Sequence, residues 1–204
     1  MHSTLLIGHY DWEPQHLPKE EFDARLAELW RRLPASVEAI VAFGDRRSNA
    51  ELAYLSNFIP KLRDGMTIFP RNGEPRLYVA GAGNMMPIAA RQTFIQKPTP
   101  LSEPGKVLAE WKASMKGGFK GGIAMVGGEN IRLALRKSLD QELDLEATRT
   151  AGEAIRDMIR AKRPREIEVI RSGCAIVKTM SEALRAAHAK GKSVTESEIG
   201  RAHV

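Results

Sequence analysis

The sequence predicts an α/β fold, a mixed β-sheet flanked by helices, followed by a long helix that opens a second, incomplete domain. Three observations carry this prediction. A helix-period stretch at 18–33 runs into a nearly continuous apolar run at 37–43. Two short strands at 66–69 and 76–80 flank an Asn-Gly pair, and a helical apolar period returns from 164 onward. A helix leading into a buried strand is the beginning of a layered α/β architecture.

The elements follow in order. After a polar arm, Pro18 starts a helix in which Phe22, Leu26, Leu29, Trp30 and Leu33 share one face of a 3.6-residue period. Val37 to Phe43 (VEAIVAF), bounded by Ser36 and Gly44, suits a strand covered by helices on both faces. Asn49 to Phe58 predicts a short helix and turn with Tyr54, Leu55 and Phe58 inward. Strands at Met66–Phe69 and Arg76–Ala80 are joined through PRNGEP, where Asn72 and Gly73 both tolerate positive φ. Met85–Gln92 and Glu103–Met115 read as helices, Gly122–Val126 as a buried strand and Glu129–Leu139 as a helix. Leu143 and Leu145 are expected to form a last short strand. These elements make a first domain over 1–150, leaving 151–204 for a connecting region and new helices.

The final stretch is the most informative. Pro164 suits a first helical turn, and Glu166 and Glu168 place negative charge at the positive end of the helix dipole. Ile167, Ile170, Cys174, Val177, Leu184 and Ala187 recur at helical spacing, and Lys190-Gly191 supplies a stop. Thr195 with Glu198 forms a capping box for a second helix, yet the chain ends at Val204. An isolated helix that short is marginal in water, so the sequence reads as cut off just after a new domain has begun.

Composition excludes several classes. No apolar run approaches the ~20 residues of a membrane span. The start, MHSTLLIGHYDW, lacks the basic and apolar regions of a secretion signal, which makes the cytoplasm the expected location. Cys174, the single cysteine, forbids an internal disulfide and is expected as a buried small hydrophobe on its helix's apolar face. The net charge of +6 invites a nucleic-acid partner, but the densest basic run, Arg156 to Arg171, is interleaved with Asp157, Glu166 and Glu168, the mark of a solvated helix face.

The residues alone identify no active site. The glycine pairs at 117–118, 121–122 and 127–128 lack the Lys-Ser/Thr of a phosphate loop and the order of a dinucleotide fingerprint, so they read as turn glycines. His2, His9, Asp11, Glu13 and His16 are metal-ligand types in no coordinating spacing on a terminal arm, and Tyr10 and Trp12 hint that the arm docks on another surface. His188 fits a helix C-terminus, and His203 lies on the short last helix.

Lys162-Arg163-Pro164-Arg165-Glu166-Ile167-Glu168-Val169-Ile170-Arg171 resembles the K-x-P-x-E-I-x-x-I-R stretch of the creatinase/prolidase/aminopeptidase P family, where it opens the catalytic "pita-bread" domain. Gly191 to Ile199 resembles the family's step into the next helix. Tyr54-Leu55-Ser56-Asn57-Phe58 resembles the Y-L-[ST]-G-F of its N-terminal domain, with Asn57 in place of the usual glycine, a change Asn accommodates where φ is positive.

The resemblance implies an N-terminal domain and the first helices of a metallopeptidase-like hydrolase of the Xaa-Pro type. That domain would serve homodimerisation and access of a peptide or small-molecule substrate. Two divalent metal ions (Mn, Co or Zn) are implied only for a following catalytic domain, since the family's two Asp, one His and two Glu have no counterpart here. No catalytic or metal-binding residue is therefore assigned in this chain. Phe58, Lys61 and Arg63 are the substrate-proximal candidates, against the plainer reading that Phe58 is core and the two bases are solvated. Two alternatives stand beside this: a naturally short, non-catalytic binding or dimerisation module, and part of a metal-free creatinase-like C–N hydrolase.

Overall fold

The computed structural model describes residues 11–61, 63–115, 117–129, 131–189 and Ser193. In chain order the elements are α1 (Lys19–Arg31), β1 (Val37–Gly44), α2 (Ala50–Ser56), β2 (Gly65–Pro70), β3 (Arg76–Val79) and α3 (Met85–Gln92). There follow β4 (Thr99–Pro100), α4 (Pro104–Ser114), β5 (Gly122–Val126), α5 (Leu133–Asp140), α6 (Leu145–Arg160) and α7 (Pro164–Ala189). Two compact units result, Met1–Ala161 and Lys162–Val204.

The first unit is built on a five-stranded sheet in the order β4-β3-β2-β1-β5. β2 runs antiparallel to both β1 and β3, while β1 pairs with β5 and β3 with β4 in parallel. The pleat of β1 explains why VEAIVAF is apolar almost throughout. Ile40 and Ala42 join one core with Leu29, Leu52, Leu55, Ala151 and Ile155 from α1, α2 and α6. Ala39, Val41 and Phe43 join a second core with Leu108, Trp111 and Leu139 from α4 and α5. Alternate side chains thus serve opposite helical layers.

The edge strand β5 is sealed by the start of α6. The Met125 N–H donates to Thr148 Oγ1 at 3.1 Å, and the Asp144 N–H donates to the Ile123 carbonyl at 2.9 Å, so these ladder groups do not invite a foreign strand. The same segment corrects the expected strand at Leu143 and Leu145. Asp144 is instead the N-cap of α6, its Oδ1 accepting from the Ala147 N–H at 2.9 Å, and Leu145 is the first helical residue. The domain limit expected at residue 150 consequently falls inside α6, which runs on to Arg160 and buries Ala147, Ala151, Ala154, Ile155 and Met158.

Other elements follow their sequence signals with instructive shifts. The β2–β3 connection spans residues 71–75, and of the Asn-Gly pair only Gly73 takes positive φ (130°). α5 begins at Leu133 rather than Glu129, after the turn at Gly127-Gly128. β4 was not visible in the sequence, being two residues long and ending in proline. Arg25 on α1 is buried: its Nη1 donates to the Tyr54 carbonyl at 2.9 Å, its guanidinium lies 4.3 Å from the Tyr54 ring centroid, and Glu21 is its ion-pair partner at 3.4 Å.

The second unit is described by α7, a single helix of 26 residues beginning at Pro164 as expected. Glu166 Oε2 accepts from the Arg163 N–H at 2.9 Å, satisfying a donor at the helix entrance. The apolar residues of α7 are not buried, Ile170, Ile176, Val177 and Leu184 among them. Cys174 shares this condition and is exposed, contrary to the expectation of burial. Its helical period marks a face suited to packing, and period alone does not supply the surface that packs on it. The capping box at Thr195 and Glu198 lies outside the described residues. No helix among the described residues is long and apolar enough to cross a membrane.

Candidate functional site

The strand directions bring five loops to one edge of the sheet. β1, β3, β4 and β5 all run toward it, and β2 starts from it. In open α/β sheets ligands sit outside the carboxyl ends of the strands, where side chains from several loops converge. Here that edge carries an open, charged cleft of about 400 Å³, lined by Asp45, Arg46, Arg47, Arg63, Asp64 and Arg132.

Each loop has a local reason for its shape. After β1, Asp45 Oδ1 accepts from the N–H groups of Arg47 (2.6 Å) and Ser48 (2.7 Å), while the Asp45 N–H donates to the Ser48 carbonyl at 2.8 Å. This side-chain-anchored turn holds Arg46 and Arg47 at its tip. After α2 the chain reverses at Asn57, whose φ of 59° is the left-handed conformation anticipated for a residue standing where glycine is usual. Its Nδ2 donates to the Gln92 carbonyl at 2.9 Å, tying the reversal to α3.

The chain then reaches Arg63 and Asp64, where the Asp64 carbonyl accepts from the Ala80 N–H (2.9 Å) and its carboxylate from Arg132 Nη2 (3.1 Å). After β5, Gly127 turns with φ 78°, and a Cβ there would run into the Phe43 carbonyl oxygen, so glycine is required by close packing. A second cleft of about 340 Å³ shares Arg63, Asp64 and Arg132 with the first and continues past Ala80, Gly81, Leu101 and Pro104.

The three sequence candidates part company here. Phe58 is 2% exposed and belongs to the core, its ring edge lying where a side chain at Gly65 would sit. Lys61 is half-buried and lines a narrow depression with Phe58, Pro60 and Arg63, of about 10 Å³, room for a single water. Arg63 is exposed and borders all three depressions. Sequence reasoning missed Arg46, Arg47 and Arg132. The available signal was the polar Asp45-Arg46-Arg47-Ser48 directly after the most apolar strand.

The described part of the arm, from Asp11 onward, folds back on its own domain. The Trp12 N–H donates to the Arg91 carbonyl (2.8 Å), its indole Nε1 donates to the Leu17 carbonyl (2.7 Å), and its ring meets Phe94 edge-on at 6.0 Å. Asp11 pairs with Arg91, and Glu13 with His16 at 3.2 Å. His2, His9, Tyr10 and His203 lie outside the described residues, and His188 stands in the last turn of α7. Among the described residues no group of three or more His, Cys, Asp or Glu could hold a metal ion.

Fold and cleft together define an α/β domain, a mixed sheet between helical layers with a basic cleft at its carboxyl edge. Among solved structures the chain is similar to an Xaa-Pro dipeptidase from Bacillus anthracis, with a TM-score of 0.52 and 10% identity over 82% of this chain and 43% of that chain. It is also similar to a proline dipeptidase from Streptococcus agalactiae 2603V, with a TM-score of 0.43 and 13% identity over 62% of this chain and 89% of that chain. At such identities the likeness to the Bacillus protein is one of fold, and this chain spans less than half of that protein's length. No family model matches the chain, and no curated protein matches it in sequence.

Proposed function

We propose that this chain is the N-terminal portion of a hydrolase of the Xaa-Pro peptidase type, in which its first unit serves dimerisation and substrate access and the chain itself carries no complete active site. The observation that carries this reading is the fold shared with the Bacillus dipeptidase over 82% of the chain. The stretch from Lys162 to Arg171, which opens α7, supports it from the sequence side. On this reading Lys61 and Arg63 are the bases near substrate, and Phe58 acts from the core by packing beneath their loop. The full protein is a cytoplasmic homodimer using two divalent metal ions held by residues beyond Val204.

The experiment is a turnover assay on X-Pro dipeptides with added Mn²⁺, Co²⁺ or Zn²⁺. It compares the 204-residue chain with the product of the reading frame extended past Val204. The short chain is expected to be inactive and the extended one active. Robust turnover by the short chain would overturn the claim that its active site is incomplete. A stop codon directly after Val204, with an intact mass to match, would favour a naturally short binding or dimerisation module instead.

A further inference from the structure

We propose that the cleft lined by Arg46, Arg47, Arg63 and Arg132 is a binding site, complete within this chain, for a small organic oxyanion: a carboxylate or phosphoryl compound with a compact uncharged body. The arginines come from three loops widely separated in sequence and meet only because the sheet ends there. Like charges gathered in one place repel, so such a cluster persists where something opposes it. The cleft's own carboxylates are two, and both are engaged. Asp45 holds its turn through two backbone N–H groups, and Asp64 holds Arg132. Two positive charges are left in excess.

Most arginines elsewhere on the domain have carboxylates at hand; Arg71 instead directs its guanidinium to the Val37 and Pro34 carbonyls and the Trp30 ring, and Arg76 stands alone among the described residues. Arg31 and Arg32 share Glu28, Arg136 pairs with Asp140, Arg149 with Glu153, Arg156 with Glu129 and Arg160 with Asp157. Among the described residues Arg46, Arg47 and Arg63 have no ion-pair partner, and all three are exposed. Guanidinium is also the group suited to the task. Its planar fork donates two parallel hydrogen bonds to a carboxylate or phosphate, which a lysine ammonium does not match.

Size and lining narrow the occupant. About 400 Å³ lies within the range of small-molecule sites and is far more than one ion fills. The adjoining cleft is bordered by Ala80, Gly81, Ala82, Leu101 and Pro104, which would accept an uncharged body beside the anionic head. Neither cleft is lined by an aromatic ring on which a base could stack, so the occupant is a small metabolite-sized acid rather than a nucleic-acid strand.

This site shares Arg63 with the substrate-access rim of the hydrolase reading but stands on Arg46, Arg47 and Arg132 as well, and it is tested without metal or peptide. Isothermal titration of the 204-residue chain with citrate in one arm and glycerol 3-phosphate in the other, at low and at physiological ionic strength, is expected to show saturable one-to-one binding in at least one arm. Preference for citrate assigns a carboxylate ligand, and preference for glycerol 3-phosphate a phosphoryl one. The Arg47→Gln/Arg63→Gln double variant should weaken binding at least tenfold. A charge-matched control, Arg31→Gln/Arg160→Gln, should stay within twofold. Unchanged thermal unfolding of both variants without ligand shows that folding is intact. Absence of saturation in both arms, or equal weakening in cleft and control variants, overturns the proposal.

Discussion

α6 and α7 are written in the same code and meet different fates. In α6 the small and apolar residues Ala147, Ala151, Ala154, Ile155 and Met158 fall on one stripe, and all five are buried against β5 and its neighbours. In α7 Ile167, Ile170, Val177 and Leu184 also recur at helical spacing, and all four are exposed. Ile155 is 1% exposed and Val177 61%. An amphipathic period states which face would gain from leaving water; it says nothing about whether a partner surface is present. The difference also separates two kinds of helix ending. α6 is fixed by a side-chain cap joined to the sheet edge, whereas the entrance of α7 is fixed by its own Glu166.

The sharpest way to break this comparison is to remove apolar bulk from α6. Ile155→Ala should destabilise the domain by about 3 kcal/mol, through lost transfer energy and the cavity left between α6 and the sheet. In a domain of this size that lowers the melting temperature by roughly 6–12 °C in a calorimetric scan. A smaller loss follows from the cap. Asp144→Ala removes the acceptor of the Ala147 N–H and should lower stability by about 1 kcal/mol in urea unfolding, with an unchanged slope. A result near zero would mean that α6 is held by its packed face alone.

Residues whose role is set by local chemistry were the legible ones. Val37–Phe43 had to be a strand buried on both faces, and Asn57 had to be a left-handed stop if the chain was to reverse there. What escaped was set by tertiary context. Arg25 falls on α1 with nothing in the sequence to mark it as buried, yet the Tyr54 carbonyl and ring and the Glu21 carboxylate make a buried place for it. Asp144 looked like part of a strand because the leucines on either side alternate with it, but its carboxylate competes successfully for a helix start. The cleft was illegible for the same reason. Arg46, Arg63 and Arg132 have no sequence relation, and only the shared strand direction brings them together. The resemblance groups Phe58, Lys61 and Arg63 as candidates near substrate, beside the plainer reading that Phe58 is core; the turn after Asn57 sends the ring into the core and the Arg63 guanidinium to the surface.

The smallest expected effect is the most discriminating. Val177→Ala on α7 removes two methyl groups from a side chain already in water, so it should change the stability of the compact domain by no more than about 0.5 kcal/mol. The slightly higher helix propensity of alanine acts in the opposite direction and makes a net loss smaller still. The same substitution in Ile155's surroundings would open a cavity; here there is none to open. The measurement is calorimetric, paired with Ile155→Ala and repeated at protein concentrations tenfold apart. If Val177→Ala proves as damaging as Ile155→Ala at every concentration, the exposed stripe of α7 is covered within the chain, and the contrast between the two helices fails. If it becomes damaging only as concentration rises, the stripe is covered by a second copy, since a subunit contact stabilises by mass action.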